Sequence, residues 1–291
     1  MSLIKFKSVN RPLYDVLNKL LNFFYNDKNT FGKDFKKNGY KEIKLENLET
    51  IKLIKEEIDL QKEDSQKNLV KFKINKKIFD LLNNLIAEQK KLINYLKEYY
   101  FCPVVVSNIE LRRTKYFDKS LEINSNVYSE NYHVDKYVNT HVKQFIYLTD
   151  VDENSGPFSY IDKKNTKNFV KEYQYRDRFS IKIDGNKNLE TKKFEKKFTG
   201  KIGSSLIVNT TECLHRAGIP VEGKHRDIIT ITYIAVPEKK YNDERYFFNT
   251  LKEGFFDNEN SMNITKRLAK PFTKKDIFLF LFRFLKYRYF N

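Results

Sequence analysis

Tryptophan does not occur in this 291-residue sequence, and cysteine, methionine, histidine and alanine are scarce, at 2, 2, 4 and 4 residues. Each shortage excludes something. Two cysteines, Cys102 and Cys213, allow at most one bridge and no disulfide framework, which fits a reducing cytosol. Nine glycines and six prolines are too few for a collagen-like or low-complexity chain. The sequence contains no zinc-type Cys/His spacing, Walker loop, GxGxxG or GxSxG elbow. No uncharged apolar run reaches the roughly 18 residues of a membrane span, and residues 1–12 lack the apolar stretch of a secretory signal. The expectation is a cytoplasmic protein. Its 40% hydrophobic residues, with 25 Phe and 19 Tyr, argue for a real core and against disorder.

Positive charge is abundant: 55 Lys and Arg face 38 Asp and Glu, a formal net charge of +17. Such a balance invites nucleic acid or an anionic membrane as partner. The composition weakens that reading. Of the basic residues 44 are Lys, beside 29 Asn, and Lys, Asn, Ile, Phe and Tyr are the residues of AT-rich codons. Much of the excess therefore reads as a solvated basic surface, and no specific nucleic-acid partner is expected.

Residues 1–102 read as helical. Leu13, Val16, Leu17, Leu20, Leu21 and Phe24 line one helix face after Pro12; Leu48, Ile51, Ile54 and Ile58 line a second. A longer helix starts at a capping Asn75, carries Ile78, Leu81, Leu82, Leu85, Ile86, Leu92, Leu96 and Tyr99, and stops before Pro103. The Lys- and Gln-rich stretch from Gln61 to Lys73 reads as a loop. Residues 103–240 change to period 2, with short β-branched and aromatic segments at 104–106, 108–112, 127–135, 142–149, 158–161, 204–209 and 227–236. Successive strands without intervening helices predict an antiparallel sandwich or barrel, with a charged insertion near 163–200 that holds one more strand around Phe179, Ile181 and Ile183. Residues 241–291 form a C-terminal extension whose end, Phe272 to Asn291, mixes Phe and Leu with Arg283, Lys286 and Arg288. A helix so apolar packs on protein or lies on a membrane surface; peripheral contact with the inner membrane face is one expectation.

Two of the four histidines sit in a chemical pattern. His133 and Asp135 are i and i+2 on a predicted strand, so their side chains project to one face. His215, arriving from a facing strand, completes two imidazoles and a carboxylate, the set that holds Fe(II) on one triangular face and leaves positions open. Arg226 opens a strand eleven residues later, and a guanidinium inside a barrel needs a carboxylate partner, which a diffusible dicarboxylate would supply. His141 and His225 read as structural or surface residues, and Cys213 as a small buried thiol. Arg112, Arg113 and Lys115 make a basic strand end suited to an anionic substrate.

With these residues goes a resemblance. Asn38-Gly39-Tyr40, His133-Val134-Asp135, the run Leu148 to Phe158 with its Asn154-Ser155-Gly156-Pro157 turn, and Gly203-Ser204-Ser205-Leu206 through His215-Arg216-Ala217-Gly218 to Arg226 resemble the phytanoyl-CoA dioxygenase family of Fe(II)/2-oxoglutarate oxygenases. The match spans about Asn38 to Pro237. It implies an α+β fold with a double-stranded β-helix (jelly-roll, cupin-like) core, flanked by N-terminal helices and a C-terminal helical tail. It also implies His133, Asp135 and His215 as iron ligands, Arg226 on the distal carboxylate of 2-oxoglutarate, and O2 as co-reactant. A further cosubstrate contact falls to Lys143, Gln144 or Thr114; Lys143 is the first choice, though strand parity alone does not select it. The chain departs from the family at Asp162-Lys163-Lys164-Asn165, where members carry Pro-Gly-Ser-His, so a fatty acyl-CoA substrate is not carried over.

The resulting expectation is a dioxygenase that hydroxylates a small-molecule or lipid- or sugar-linked metabolite of anionic character. The presence of Asp135, where related halogenases have a small residue, favours hydroxylation or desaturation. Two other readings stand beside it: a basic β-barrel binding protein with a vestigial site, and a cupin-type isomerase. Substrate and oligomeric state are left open.

Overall fold

Asparagine starts two of the N-terminal helices. The side chain of Asn47 accepts from the backbone N–H groups of Glu49 and Thr50 ahead of one, and that of Asn75 accepts from Ile78 N ahead of the other, so donors that a helix start leaves unpaired are satisfied. The structure is a computed structural model that describes residues 30–62, 68–100, 104–116, 132–135, 141–172 and 192–235, with Phe278, Leu281 and Phe282. The stripe at 13–24, the strand around 179–183, Cys102 and the rest of the C-terminal tail lie outside the described residues. Phe278, Leu281 and Phe282 are helical and exposed. No helix among the described residues is long and apolar enough to cross a membrane.

Five helices are described: α1 (Thr30–Asn38), α2 (Leu48–Asp59), α3 (Lys76–Glu88), α4 (Lys90–Tyr100) and α5 (Lys163–Glu172). The single helix expected from Asn75 to Tyr99 is thus two, α3 and α4. The break falls at Gln89, whose backbone (φ −89°, ψ 30°) leaves the helical region while its buried amide donates to Leu85 O and accepts from the Gln144 amide. Apolar spacing runs on through the break, so periodicity does not reveal it.

Among the described residues, nine strands form two antiparallel sheets. They are β1 (Tyr40–Ile43), β2 (Leu69–Lys71), β3 (Val104–Lys115), β4 (His141–Tyr147), β5 (Phe158–Tyr160), β6 (Lys196–Phe198), β7 (Ser205–Val208), β8 (His215–Arg216) and β9 (His225–Ala235). The large sheet runs β1-β7-β4-β9-β3-β2 and the small one β6-β5-β8. Residues read as a loop at 61–73 therefore contain an edge strand, β2. Gln61 holds its end, donating to Lys73 O and accepting from Lys73 N. The end of the charged stretch 163–200 supplies β6, paired with β5.

Both faces of the large sheet are covered. On one, Val142 and Ile146 of β4, Ile207 of β7, Ile229, Ile231 and Tyr233 of β9 and Ile109 and Leu111 of β3 pack on Ile51, Ile54, Ile58, Ile78, Leu82 and Leu96 of the helices. Burying each such side chain contributes about 1.5–3 kcal/mol. On the other, Phe145, Tyr147, Leu206, Val208 and Ile228 meet Phe158, Tyr160 and Phe198 of the small sheet. The fold is a mixed assembly of helices and antiparallel sheets, and the second face is where the polar residues of interest converge.

Candidate metal and anion site

Antiparallel pairing brings the two histidines together. His133 and His215 form a bridge in which each backbone N–H donates to the other's carbonyl, at 3.0 and 2.9 Å, and their ring centroids lie 4.3 Å apart. Two residues on, Asp135 N donates to Thr210 O at 2.8 Å, which fixes the carboxylate beside them. One donor atom from each of His133, Asp135 and His215 lies within 4.8 Å of the others, and all three side chains are buried. The three side chains come together, but residues 132–135 hold a single bridge at His133 in place of the expected strand, and His215 is the residue paired with it and not one from a facing strand.

The chemistry of the donors fits a divalent cation. His215 Nδ1 lies 3.0 Å from Cys213 O, an acceptor only, so Nδ1 carries the proton and the Nε2 lone pair is left for a ligand. Nε2 faces Asp135 Oδ2 at 3.9 Å. Burial pushes the His215 imidazole down to about 3, against the pull of Asp135, which keeps it neutral as ligation requires. Two imidazoles and one carboxylate, all buried, are the donor set of open non-haem Fe(II) sites. The aromatic wall begins at once, with the Phe158 ring 5.8 Å from that of His215.

Arg226 projects from β9 toward the same interior. Across the sheet Thr114 pairs with Arg226, and Lys143 with Thr232, so strand alternation places Arg226, Thr114, Thr232 and Lys143 on one face. The Arg226 guanidinium is 4% exposed; Nη1 donates to the Gly156 carbonyl, Nη2 to Thr114 Oγ1 at 3.4 Å, and Nε finds no hydrogen-bond partner. Among the described residues no carboxylate pairs with it. Burial lowers its pKa, and Tyr147 opposes that shift. The Gly156 carbonyl is itself set by a tight crossing: Gly156 has φ 67°, and a Cβ there would stand 2.4 Å from Pro220 N.

Of the candidates for a further cosubstrate contact, the structure separates faces. Gln144 points into the helix-covered core, donating to Gln89 and Ser205 and accepting from Tyr233 OH. Thr114 and Lys143 lie on the site face, and Lys143 Nζ sits 2.7 Å from Asp135 Oδ2. Cys213 turns away: its thiol reaches Asn38 O at 3.7 Å under Gly39, burial raises its pKa, and it belongs to no metal-binding group. His225 is exposed beside Asp227, while Arg113 grips Asp227 through Nε and Nη2 at 2.7 and 2.6 Å. Arg112 pairs with Glu110.

Sequence reasoning missed a clamp next to the histidines. Glu195 Oε1 accepts from Tyr132 OH at 2.5 Å and from Arg216 Nε and Nη2 at 3.0 and 2.6 Å, so one carboxylate ties the neighbour of His133 to the neighbour of His215. Nothing distinguishes Glu195 from other acids in its charged stretch. At Asp162, the family departure is a helix start: Asp162 accepts from Asn165 N and Nδ2, and α5 follows.

The site thus belongs to a mixed helix and antiparallel-sheet protein with a buried His–Asp–His cluster and a buried arginine. No family model and no curated protein matches the chain. Solved structures of similar shape include the non-haem alpha-ketoglutarate-dependent epimerase SnoN from nogalamycin biosynthesis (11% identity, 70% of this chain and 82% of that one, TM-score 0.48). They also include the carbocyclase SnoK from the same biosynthesis (12%, 72% and 85%, 0.46) and HygX from Streptomyces hygroscopicus with nickel, 2-oxoglutarate and hygromycin B bound (15%, 70% and 85%, 0.44). At these identities the site's chemistry has to be read from its own residues.

Proposed function

We propose that this chain is an Fe(II)- and 2-oxoglutarate-dependent oxygenase that hydroxylates a small molecule of anionic character, with the two sheets acting as a double-stranded β-helix. The observation that carries the reading is the pairing of a buried His133–Asp135–His215 cluster with Arg226, a buried guanidinium without an acid partner among the described residues. Such a cation is costly to bury alone, and a dicarboxylate is the ligand that would satisfy it.

His133, Asp135 and His215 would hold the metal. Iron and 2-oxoglutarate, when bound, supply the oxidising power for an unactivated C–H bond, one oxygen atom going to succinate and one to product. Arg226 would grip the distal carboxylate through its free N–H groups, held in line by Gly156 O and Thr114 Oγ1. Phe145, Phe158 and Tyr160 keep the space between the sheets dry, which strengthens each charge interaction there. Asp135 would serve as the third ligand, which favours hydroxylation over chemistry that needs a further anion on the metal.

The test is an anaerobic titration with Fe(II) and 2-oxoglutarate. A visible band should form only with both present, vanish in His133→Ala and, on admission of air, be followed by succinate. A protein that forms no band and behaves like His133→Ala would sink the reading.

A further inference from the structure

The oxygen of Asp135 nearest the free nitrogen of His215 is already taken. Asp135 Oδ2 lies 3.9 Å from His215 Nε2 and 2.7 Å from Lys143 Nζ. Oδ2 is the Asp135 oxygen that faces His215 Nε2, so a cation bridging these two side chains would meet it beside the ammonium. Lys143 does not arrive there by chance of a long surface chain: β4 pairs with β7 on one side and β9 on the other, and Lys143 faces Val208 and Thr232 in that register. Its side chain is 21% exposed and Asp135's is 4% exposed, so this ion pair, which does not have the angles of a hydrogen bond, is largely withdrawn from water, where opposite charges attract more strongly. Burying Asp135 without a positive neighbour would be costly.

We propose that Lys143 is the resident cation of this site: its ammonium neutralises Asp135 in the metal-free protein, and an incoming divalent ion must displace it or share the carboxylate with it. The inference rests on the reading of His133, Asp135 and His215 as metal ligands. Either route weakens metal binding, the first by competition for Oδ2 and the second by repulsion between two cations. Lys143 is accordingly a positioning residue that sets metal affinity.

The experiment uses the full chain, stripped of metal, and Ni(II) alone as probe, titrated calorimetrically into wild type, Lys143→Met, Lys143→Gln, Lys143→Arg and His133→Ala. Both neutral variants should bind Ni(II) at least about tenfold more tightly than wild type, as loss of a charged competitor implies. Lys143→Arg, which keeps the charge, should stay near wild type. Metal-free Lys143→Met should also melt below metal-free wild type, with the difference closing on Ni(II). If wild type binds Ni(II), His133→Ala does not, and the neutral variants bind equally or more weakly, Lys143 is not a competing cation and this inference falls while the oxygenase reading stands. If wild type and His133→Ala are alike in failing to bind, the oxygenase reading falls first.

Discussion

Under the proposed function, Arg226 is the residue that separates metal binding from cosubstrate binding. Among the described residues its hydrogen bonds run to Gly156 O and Thr114 Oγ1 and not to His133, Asp135 or His215. Arg226→Met should therefore leave Ni(II) binding intact while 2-oxoglutarate affinity falls by about 2–5 kcal/mol, the cost of removing one partner of a buried charge pair. Arg226→Lys should rescue little, since an ammonium lacks the planar fork. Calorimetry of 2-oxoglutarate binding to the Ni(II)-loaded variants checks both. Gly156→Ala should destabilise by about 1–3 kcal/mol in urea unfolding, because φ 67° and a Cβ against the backbone of Pro220 leave the new methyl no room. At this scale the His133–Asp135–His215 cluster was legible because residues two apart on extended backbone project to the same side, although the chain there forms a single bridge and not the expected strand. The choice among Lys143, Gln144 and Thr114 was not, because β4 is buried on both faces and alternation gives parity without saying which parity faces the site.

Between elements, the clamp from Glu195 to Tyr132 and Arg216 braces from the side two short backbone segments already joined by the His133–His215 bridge. Burial pushes the Glu195 carboxyl up, but hydrogen bonds from Tyr132 and Arg216 outweigh it and the net shift is downward. A folded-state pKa below the unfolded value of about 4.3 contributes stability that is present above that pH and lost as pH falls through the folded value. Glu195→Gln should therefore lower stability at pH 7 and flatten the loss of stability on acidification below about pH 4.3; urea midpoints across pH 3–7 test this. The same variant should weaken Ni(II) binding, because the backbones of His133 and His215 are no longer pinned from the side. Helix α2 and the Asn75 start of α3 could be read from apolar spacing and capping residues, which are local. The turn at Gln89, the edge strand β2 and the role of β6 depend on partners 12 to 55 residues away, such as Gln144, and local pattern carries no trace of them.

For the molecule as a whole, the site joins the two sheets: His215 belongs to β8, Asp135 is tied to Thr210, and Lys143 and Arg226 come from the large sheet. A ligand that binds only this folded arrangement adds stability by mass action, about 2.7 kcal/mol at a hundred times its dissociation constant. Ni(II) and 2-oxoglutarate together should thus raise the melting temperature by about 2–4 °C per kcal/mol for a domain of this general size. His133→Ala should abolish the whole shift and Arg226→Met only the part that depends on 2-oxoglutarate. The +17 charge enters here as a confounder that must be removed. Added salt screens like-charge repulsion, with a Debye length of about 8 Å at 0.15 M, and would stabilise so basic a chain without binding the site. At matched ionic strength, succinate in place of 2-oxoglutarate has two carboxylates but no 2-oxo group to chelate metal, and should give a smaller shift. An equal shift with both would assign the effect to anion binding at Arg226 alone and would remove the metal from the account of how cosubstrate is held.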